Sequence, residues 1–106
     1  MNPKEQIDWN KGSGLVPTIV QEEKNSEVLM LAYSTRESLK KAMETKQGWY
    51  YSRSRKKLWR KGKTSGNTQK LKKVLVDCDK DTLLFRVEQK GNACHLNKKN
   101  CFEAVK

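Results

Sequence analysis

The chain has 106 residues and a formal net charge of +11, which bounds it to a single domain, residues 1–106, near the lower size limit for one core. Adding glycine to the hydrophobic 35% brings the apolar share to roughly 41%, below the ~45–50% of ordinary globular domains, so a metal or a partner chain is expected to supplement the core. No apolar run approaches the ~18 residues of a membrane span. The start, MNPKEQIDWN, lacks the basic head and apolar stretch of a secretory signal, and the expectation is a soluble, cytoplasmic protein.

Residues 15–21 (LVPTIVQ) and 27–33 (EVLMLAY) read as strands joined by a polar turn at 23–26, a hairpin. Pro17 places the first strand at an edge or puts the proline at the strand's beginning. Ser34-Thr35-Arg36-Glu37 reads as a capping box, with Ser34 as the cap and Glu37 reaching back. Leu39, Ala42 and Met43 then recur at helical spacing to about Lys46, and Gln47-Gly48 stops the helix. Beyond Gly48 the period changes to two. Residues 49–55 and 58–60 read as short strands around a basic turn at Lys56-Lys57, and GKTSG at 62–66 is a loop. Residues 71–76 and 82–89 are the last strands, with Leu83, Phe85 and Val87 on one face and Lys80 in the tight turn between them. Segment 91–101 is loop-like, and there are no internal repeats and no linker. The predicted class is α+β, a mostly antiparallel sheet with one main helix.

Cys78, Cys94 and Cys101 are an odd number of thiols. In a reducing cytosol they read as metal ligands rather than disulfides. No C-x₂-C pair exists, which excludes a four-ligand zinc ribbon; three thiolates would hold Zn²⁺ with one tetrahedral position open, the arrangement associated with catalysis. His95, the only histidine, directly follows Cys94. It could complete the ligand set, but adjacent residues rarely reach one ion comfortably, and it reads better as a proton-handling neighbour.

Asp77, Asp79 and Asp81 crowd three carboxylates into DCDKD in a basic chain. D-x-D-x-D also opens a calcium-binding EF-hand loop, but Thr82 stands where that loop wants glycine, and the residues after it read as a strand. A plain surface turn and a Mg²⁺ site are the remaining readings; a divalent cation would relieve the mutual repulsion of the acids. In an extended strand, neighbouring side chains alternate faces, so Asp77 and Asp79 are predicted to point one way and Cys78 the other.

From residue 45 to residue 73 there are eleven Lys or Arg and no Asp or Glu. Such a block suits a solvated face, a nucleic-acid patch or a substrate carrying several phosphates. SRSRKKLWRKGKTSG is not a P-loop. Its Arg forks and glycine-rich loop nevertheless match phosphate oxygens, and Trp59, with Trp49, Tyr50 and Tyr51 nearby, could stack on a base.

MLAY at 30–33, WYYSRSR at 49–55, LWRKGKTSG at 58–66, VDCDKD at 76–81, RVEQ at 86–89 and ACHLNKKNCF at 93–102 together resemble the phosphoribosyl-AMP cyclohydrolase family of histidine biosynthesis, in its monofunctional form. The resemblance covers about Val28 to Phe102, most of the chain. It departs at Lys63, where the family usually has Glu, and more mildly at Asn67, where many members carry His.

The resemblance implies hydrolytic opening of the adenine ring of phosphoribosyl-AMP between N1 and C6, giving a phosphoribosyl-formimino carboxamide ribotide. It also implies a homodimer that uses Zn²⁺ and Mg²⁺. Carried over residue by residue, Cys78, Cys94 and Cys101 are the zinc ligands, Asp77, Asp79 and Asp81 the magnesium ligands, and His95 the catalytic group beside the reacting centre. Substrate contacts are expected from Trp49, Ser52, Arg53, Arg55, Trp59, Arg60, Lys61, Thr64, Ser65 and Gly66, with the four cations among them toward the phosphates. Zinc can lower the pKa of bound water to about 7; three thiolates leave the metal electron-rich, so His95 is expected to help remove the proton.

Alternation at DCDKD, the family's dimer and the thin core together put the zinc at or near the dimer interface, with Cys78 facing the loop that carries Cys94 and Cys101 in the second subunit. The rival reading is a small zinc-stabilised basic nucleic-acid-binding module, which predicts steep salt dependence and no turnover. The acids would repel a phosphate backbone, and a purely structural zinc would want a fourth protein ligand. The expected partner is therefore a small molecule, not nucleic acid or a membrane. Some relatives carry a fused pyrophosphohydrolase domain; the chain ends just after Phe102, so that preceding step is expected to reside elsewhere.

Overall fold

The computed structural model describes residues 6–105. In chain order they form β1 (Val16–Glu22), β2 (Val28–Ser34), α1 (Arg36–Thr45), β3 (Trp49–Ser52), β4 (Lys57–Arg60), β5 (Gln69–Val76) and β6 (Leu83–Gln89). The class is α+β, as the sequence predicts. Four strands make one sheet in the order β2-β1-β6-β5, and β3 and β4 make a separate antiparallel hairpin. All pairings in the large sheet are antiparallel except β1 with β6.

Alternation sets which face of this sheet is buried. Val16, Thr18 and Val20 on β1 turn inward, as do Leu83, Phe85 and Val87 on β6, the last three fully buried. Leu39 and Ala42 of α1 and Tyr50 of β3 close over this face, and the Tyr50 ring lies 5.8 Å from Phe85 and 5.3 Å from Trp59. The Tyr50 hydroxyl donates to Oε1 of buried Gln69, whose amide donates on to Gln89 at 2.8 Å. Burial pushes the Tyr50 pKa up, so this phenol acts as a neutral structural donor. Its hydrogen-bonded partners account for Gln69 inside an apolar core.

Of two local expectations, the second alternative for Pro17 holds and the helix cap shifts. β1 is a central strand, and Pro17 sits at its beginning, one residue before the ladder to β6 starts at Thr18 and Leu83; the missing N–H therefore interrupts no bond on that side. The helix cap is Thr35, not Ser34: Thr35 Oγ1 accepts from the Ser38 amide at 3.1 Å and Ser38 Oγ accepts from the Thr35 amide at 2.8 Å. Ser34 is fully buried as the last residue of β2 and is bonded to Thr18 Oγ1 at 2.7 Å, so its hydroxyl is already committed. Glu37 falls in the first turn, where a negative charge suits the helix dipole.

The helix ends at Lys46, which adopts a left-handed φ of 56°. Gln47 and Gly48 already pair with β5, Gly48 N–H donating to the Gln69 carbonyl at 3.0 Å. A Cβ on Gly48 would meet Gln69 Oε1 at 2.3 Å, which explains the glycine. β3 stops at Ser52 rather than running to residue 55, because Ser52 Oγ accepts from the Arg55 amide and Lys56 turns through φ 53°.

The opposite face of the large sheet carries an apolar row. Leu31, Ile19, Leu84 and Leu75 stand in direct cross-strand register on β2, β1, β6 and β5. Leu31, Ile19 and Leu75 are 52%, 37% and 39% exposed. No helix among the described residues is long and apolar enough to cross a membrane.

Candidate functional site

The β3–β4 hairpin and the loop after it frame an open cavity of about 840 Å³. Trp49, Ser52, Arg55, Trp59, Arg60, Lys61, Thr64 and Ser65 line it, with His95 on its wall. Arg53 and Gly66, also expected as substrate contacts, are not among its lining residues. Arg53 lies in the turn after β3 and stacks its guanidinium 3.9 Å over the Tyr33 ring. Gly66 closes the loop through a 2.9 Å bond from its amide to the Gly62 carbonyl and has φ 80°. Ser54, Lys57, Leu58, Gly62 and Lys63 also line the cavity. Strand alternation hid these, because the turn at 53–56 and the loop at 62–66 curl both faces of the hairpin toward one space.

The lining contributes the cations Arg55, Lys57, Arg60, Lys61 and Lys63 and no carboxylate. Trp49 borders the same space, and its buried indole N–H has no hydrogen-bond partner among the described residues. A buried donor left unpaired in this way is costly unless a ligand group meets it.

Beside the cavity, residues 92–101 fold back on themselves. Amides of Ala93 and Cys94 donate to the carbonyls of Lys99 and Lys98, each at 3.2 Å, and Asn97 makes the left-handed turn with φ 63°. This small hairpin brings the Cys94 and Cys101 thiols close enough to perturb each other's ionisation. Cys94 is buried and Cys101 exposed. The Leu96 amide, 3.4 Å from Cys94 Sγ, lowers the Cys94 pKa against the opposing effect of burial. Burial raises that of Cys101, and the neighbouring Cys94 adds to the rise.

The loop is tied down on two sides. The Cys101 amide donates to the Leu29 carbonyl at 2.8 Å, while Glu27 holds Asn100 Nδ2 at 2.6 Å and Lys99 Nζ at 3.0 Å. Opposite, the Lys61 ammonium donates to the Ala93 carbonyl. Burial lowers the Lys61 pKa, and negative charge on Cys101 and Cys94 works to raise it.

Cys78 lies elsewhere, exposed in the turn between β5 and β6. Cys101 is anchored on β2, two strand spacings from β6, about 10 Å away in the plane of the sheet. Among the described residues the three thiols are not gathered into one group.

The same turn gathers the acids. One carboxylate oxygen from each of Asp77, Asp79 and Asp81 lies within 4.8 Å of the others, and Cys78 is outside this group. The alternation expected at DCDKD does not apply, because β5 ends at Val76 and the segment is a turn, with Lys80 at φ 66°. Asp77 Oδ1 accepts from the amides of Asp81 and Thr82 at 3.0 and 3.1 Å, and this wraps the chain until the three carboxylates converge. Hydrogen bonds from Asp79 and from those amides lower the Asp77 pKa despite the opposing cost of burial. Hydrogen bonding to Asp77 and Asp81 and repulsion from both raise that of Asp79. The sequence reading missed a further support: the Asp8 amide and the Lys11 ammonium donate to the carbonyls of Lys80 and Asp79, strapping the turn from the N-terminal segment.

The donor chemistry suits the metals the resemblance implies. A thiol pair with one thiol of lowered pKa is a soft half-site for zinc. Three converging carboxylates, one pushed toward its protonated form by the other two, suit a hard divalent cation.

The family described as phosphoribosyl-AMP cyclohydrolase matches residues 30–103. The chain is 58% identical over 96 residues to a phosphoribosyl-AMP cyclohydrolase of Listeria innocua serovar 6a, covering 91% of this chain and 90% of that one. It is 52% identical over 105 residues to one from Clostridium botulinum strain Alaska E43, covering 96% of each chain. A protein of the same name from Cenarchaeum symbiosum is 55% identical over 98 residues, covering 92% and 91%. The chain therefore belongs to the phosphoribosyl-AMP cyclohydrolase family, hydrolases of histidine biosynthesis.

Proposed function

We propose that this chain hydrolyses phosphoribosyl-AMP at the bond between N1 and C6 of the purine, as a cytoplasmic homodimer that binds Zn²⁺ and Mg²⁺. The observation that carries the reading is the cavity of about 840 Å³, lined by five cations and no carboxylate, with His95 and the Cys94–Cys101 pair beside it. Its volume falls in the range of ligand pockets, and its charge matches a substrate with a phosphate at each end.

Zinc would be held by Cys94 and Cys101 of one chain and Cys78 of the partner subunit. Two features support sharing: one chain gathers only two of its three thiols, and the apolar row Leu31–Ile19–Leu84–Leu75 offers a face that a second copy would cover. When bound, zinc supplies Lewis-acid activation of water at neutral pH. Mg²⁺ would be held by Asp77, Asp79 and Asp81, relieving the repulsion that raises the Asp79 pKa.

The remaining steps fall to the chain's own groups. Arg55, Arg60 and Lys57 pair with the phosphates. The Trp49 and Trp59 rings border the space the purine would occupy and orient it there. An imidazole nitrogen of His95 takes the proton from the attacking water and returns it to the ring nitrogen released by cleavage.

Ultraviolet absorbance of phosphoribosyl-AMP incubated with the zinc- and magnesium-replete protein tests the reading. A steady change that a zinc chelator abolishes is expected; an unchanged spectrum would overturn it.

A further inference from the structure

Lys61 follows β4 and continues it, its amide donating to the Gly48 carbonyl at 2.9 Å. That backbone anchor fixes where its side chain starts, and the side chain ends at the Ala93 carbonyl, one residue before Cys94. The ammonium sits 5.9 Å from the Trp59 ring centroid, a cation held against the residue that precedes Cys94. Ala93 is 1% exposed, so its carbonyl has little access to water and needs a donor. The other long-range bonds of this loop come from Glu27 and Leu29, at the β1–β2 end of the sheet. Lys61 supplies the bond that comes from the hairpin carrying the cavity.

A side chain tied down in this way is poorly placed to follow a mobile phosphate. Of the other cavity cations, Arg55, Lys57 and Lys63 are exposed and hold no such bond, and half-buried Arg60 donates to the Gln47 side chain at 3.2 Å, outside the thiol loop. We propose that Lys61 is a positioning residue for the thiol pair: its ammonium clamps the loop bearing Cys94 and Cys101 to the β3–β4 hairpin and offsets the thiolate charge. On this account it is not a phosphate ligand, contrary to the role expected from the sequence. The metal-binding consequence rests on Cys94 and Cys101 being zinc ligands, whereas the clamp itself rests only on the bond to Ala93.

The experiment compares the wild type with Lys61→Met, Lys61→Gln and Lys61→Arg, all as the full chain. Zinc affinity is read by competition with a chromophoric chelator. Loop order is read from amide hydrogen exchange at residues 93–101 in the chelator-stripped protein, and KM is measured at saturating zinc. Lys61→Met is expected to weaken zinc binding about tenfold, the lower end for groups that orient metal ligands. It should also speed exchange across the loop and leave KM within about twofold, because no phosphate contact is lost. Lys61→Gln keeps a donor without charge, so exchange should stay near wild type while zinc affinity falls; Lys61→Arg should restore both. A Lys61→Met or Lys61→Gln protein with unchanged zinc affinity and exchange but a tenfold higher KM would overturn the proposal in favour of phosphate binding. If the wild type binds no zinc, the metal reading fails separately, and the exchange comparison still decides whether Lys61 clamps the loop.

Discussion

Cys101 and Cys78 are anchored on opposite sides of one sheet: the Cys101 amide is bonded to Leu29 on the edge strand β2, and Cys78 sits in the turn that joins β5 to β6, with β1 between. A three-thiolate centre therefore asks for a second chain, and the exposed row Leu31–Ile19–Leu84–Leu75 is the surface that chain would cover. A charge placed there should cost the monomer little, since Leu31 and Ile19 point away from the core, but it would have to be buried unpaired in a dimer. Ile19→Asp and Leu31→Asp are expected to convert a dimer to monomers in light scattering, with folding retained by circular dichroism and tight zinc binding lost. Variants that remain dimeric would place the interface on another face.

His95 is exposed on the cavity wall, next in sequence to Cys94 but outside the thiol pair. As a proton carrier it should contribute about 10²–10⁴ in rate. His95→Ala is expected to lower kcat by about that factor while zinc content, read by metal analysis, stays at the wild-type level. Near-normal turnover would remove His95 from the chemistry, and loss of zinc would make it a ligand.

Lys63 stands where the resemblance implies a Glu, and it adds a cation to a cavity that has no lining acid. Lys63→Glu should raise KM several-fold with a smaller change in kcat, because a doubly phosphorylated substrate meets less positive field in both ground and transition states. KM of the wild type should also rise with ionic strength, and less steeply in the variant. Equal salt responses would show that Lys63 does not face the substrate.

Glu27 holds the far side of the thiol loop. Its hydrogen bond from Asn100, then its pairing with Lys99, keeps its pKa below 4.5. A carboxylate with a depressed folded-state pKa contributes stability that is present above the unfolded value and disappears as pH falls through the folded one. Thermal unfolding should therefore show a loss of stability below pH 4.5 that is reduced in Glu27→Gln. Parallel pH profiles for the two proteins would mean that Glu27 does not contribute through its charge.

Much of this was legible in the residue order, and the exceptions share a cause. The inward row Leu83, Phe85 and Val87 followed from alternation alone, because a strand with one buried face writes that face into every second residue. The cap moved from Ser34 to Thr35 because Ser34 is bonded to Thr18, sixteen residues away, and no local pattern reports such a partner. DCDKD misled in the same way. Its acids meet because backbone amides of Asp81 and Thr82 reach back to Asp77, a turn geometry that period-two reasoning does not contain. The cavity residues Lys57 and Lys63 were missed because two loops curl together, and the strap from Asp8 and Lys11 to that turn is visible only once distant segments are packed.

The central claim, a hydrolytic site assembled from two copies of the chain, is tested most directly by mixing two inactive variants. Cys78→Ser and Cys94→Ser proteins, each without turnover of phosphoribosyl-AMP alone, would be unfolded together and refolded. Half of the dimers then contain one of each, and each of those has one of its two sites intact. Recovery of about a quarter of wild-type activity is therefore expected for a site shared across a two-fold interface. No recovered activity from a mixture shown to contain mixed dimers would contradict the account.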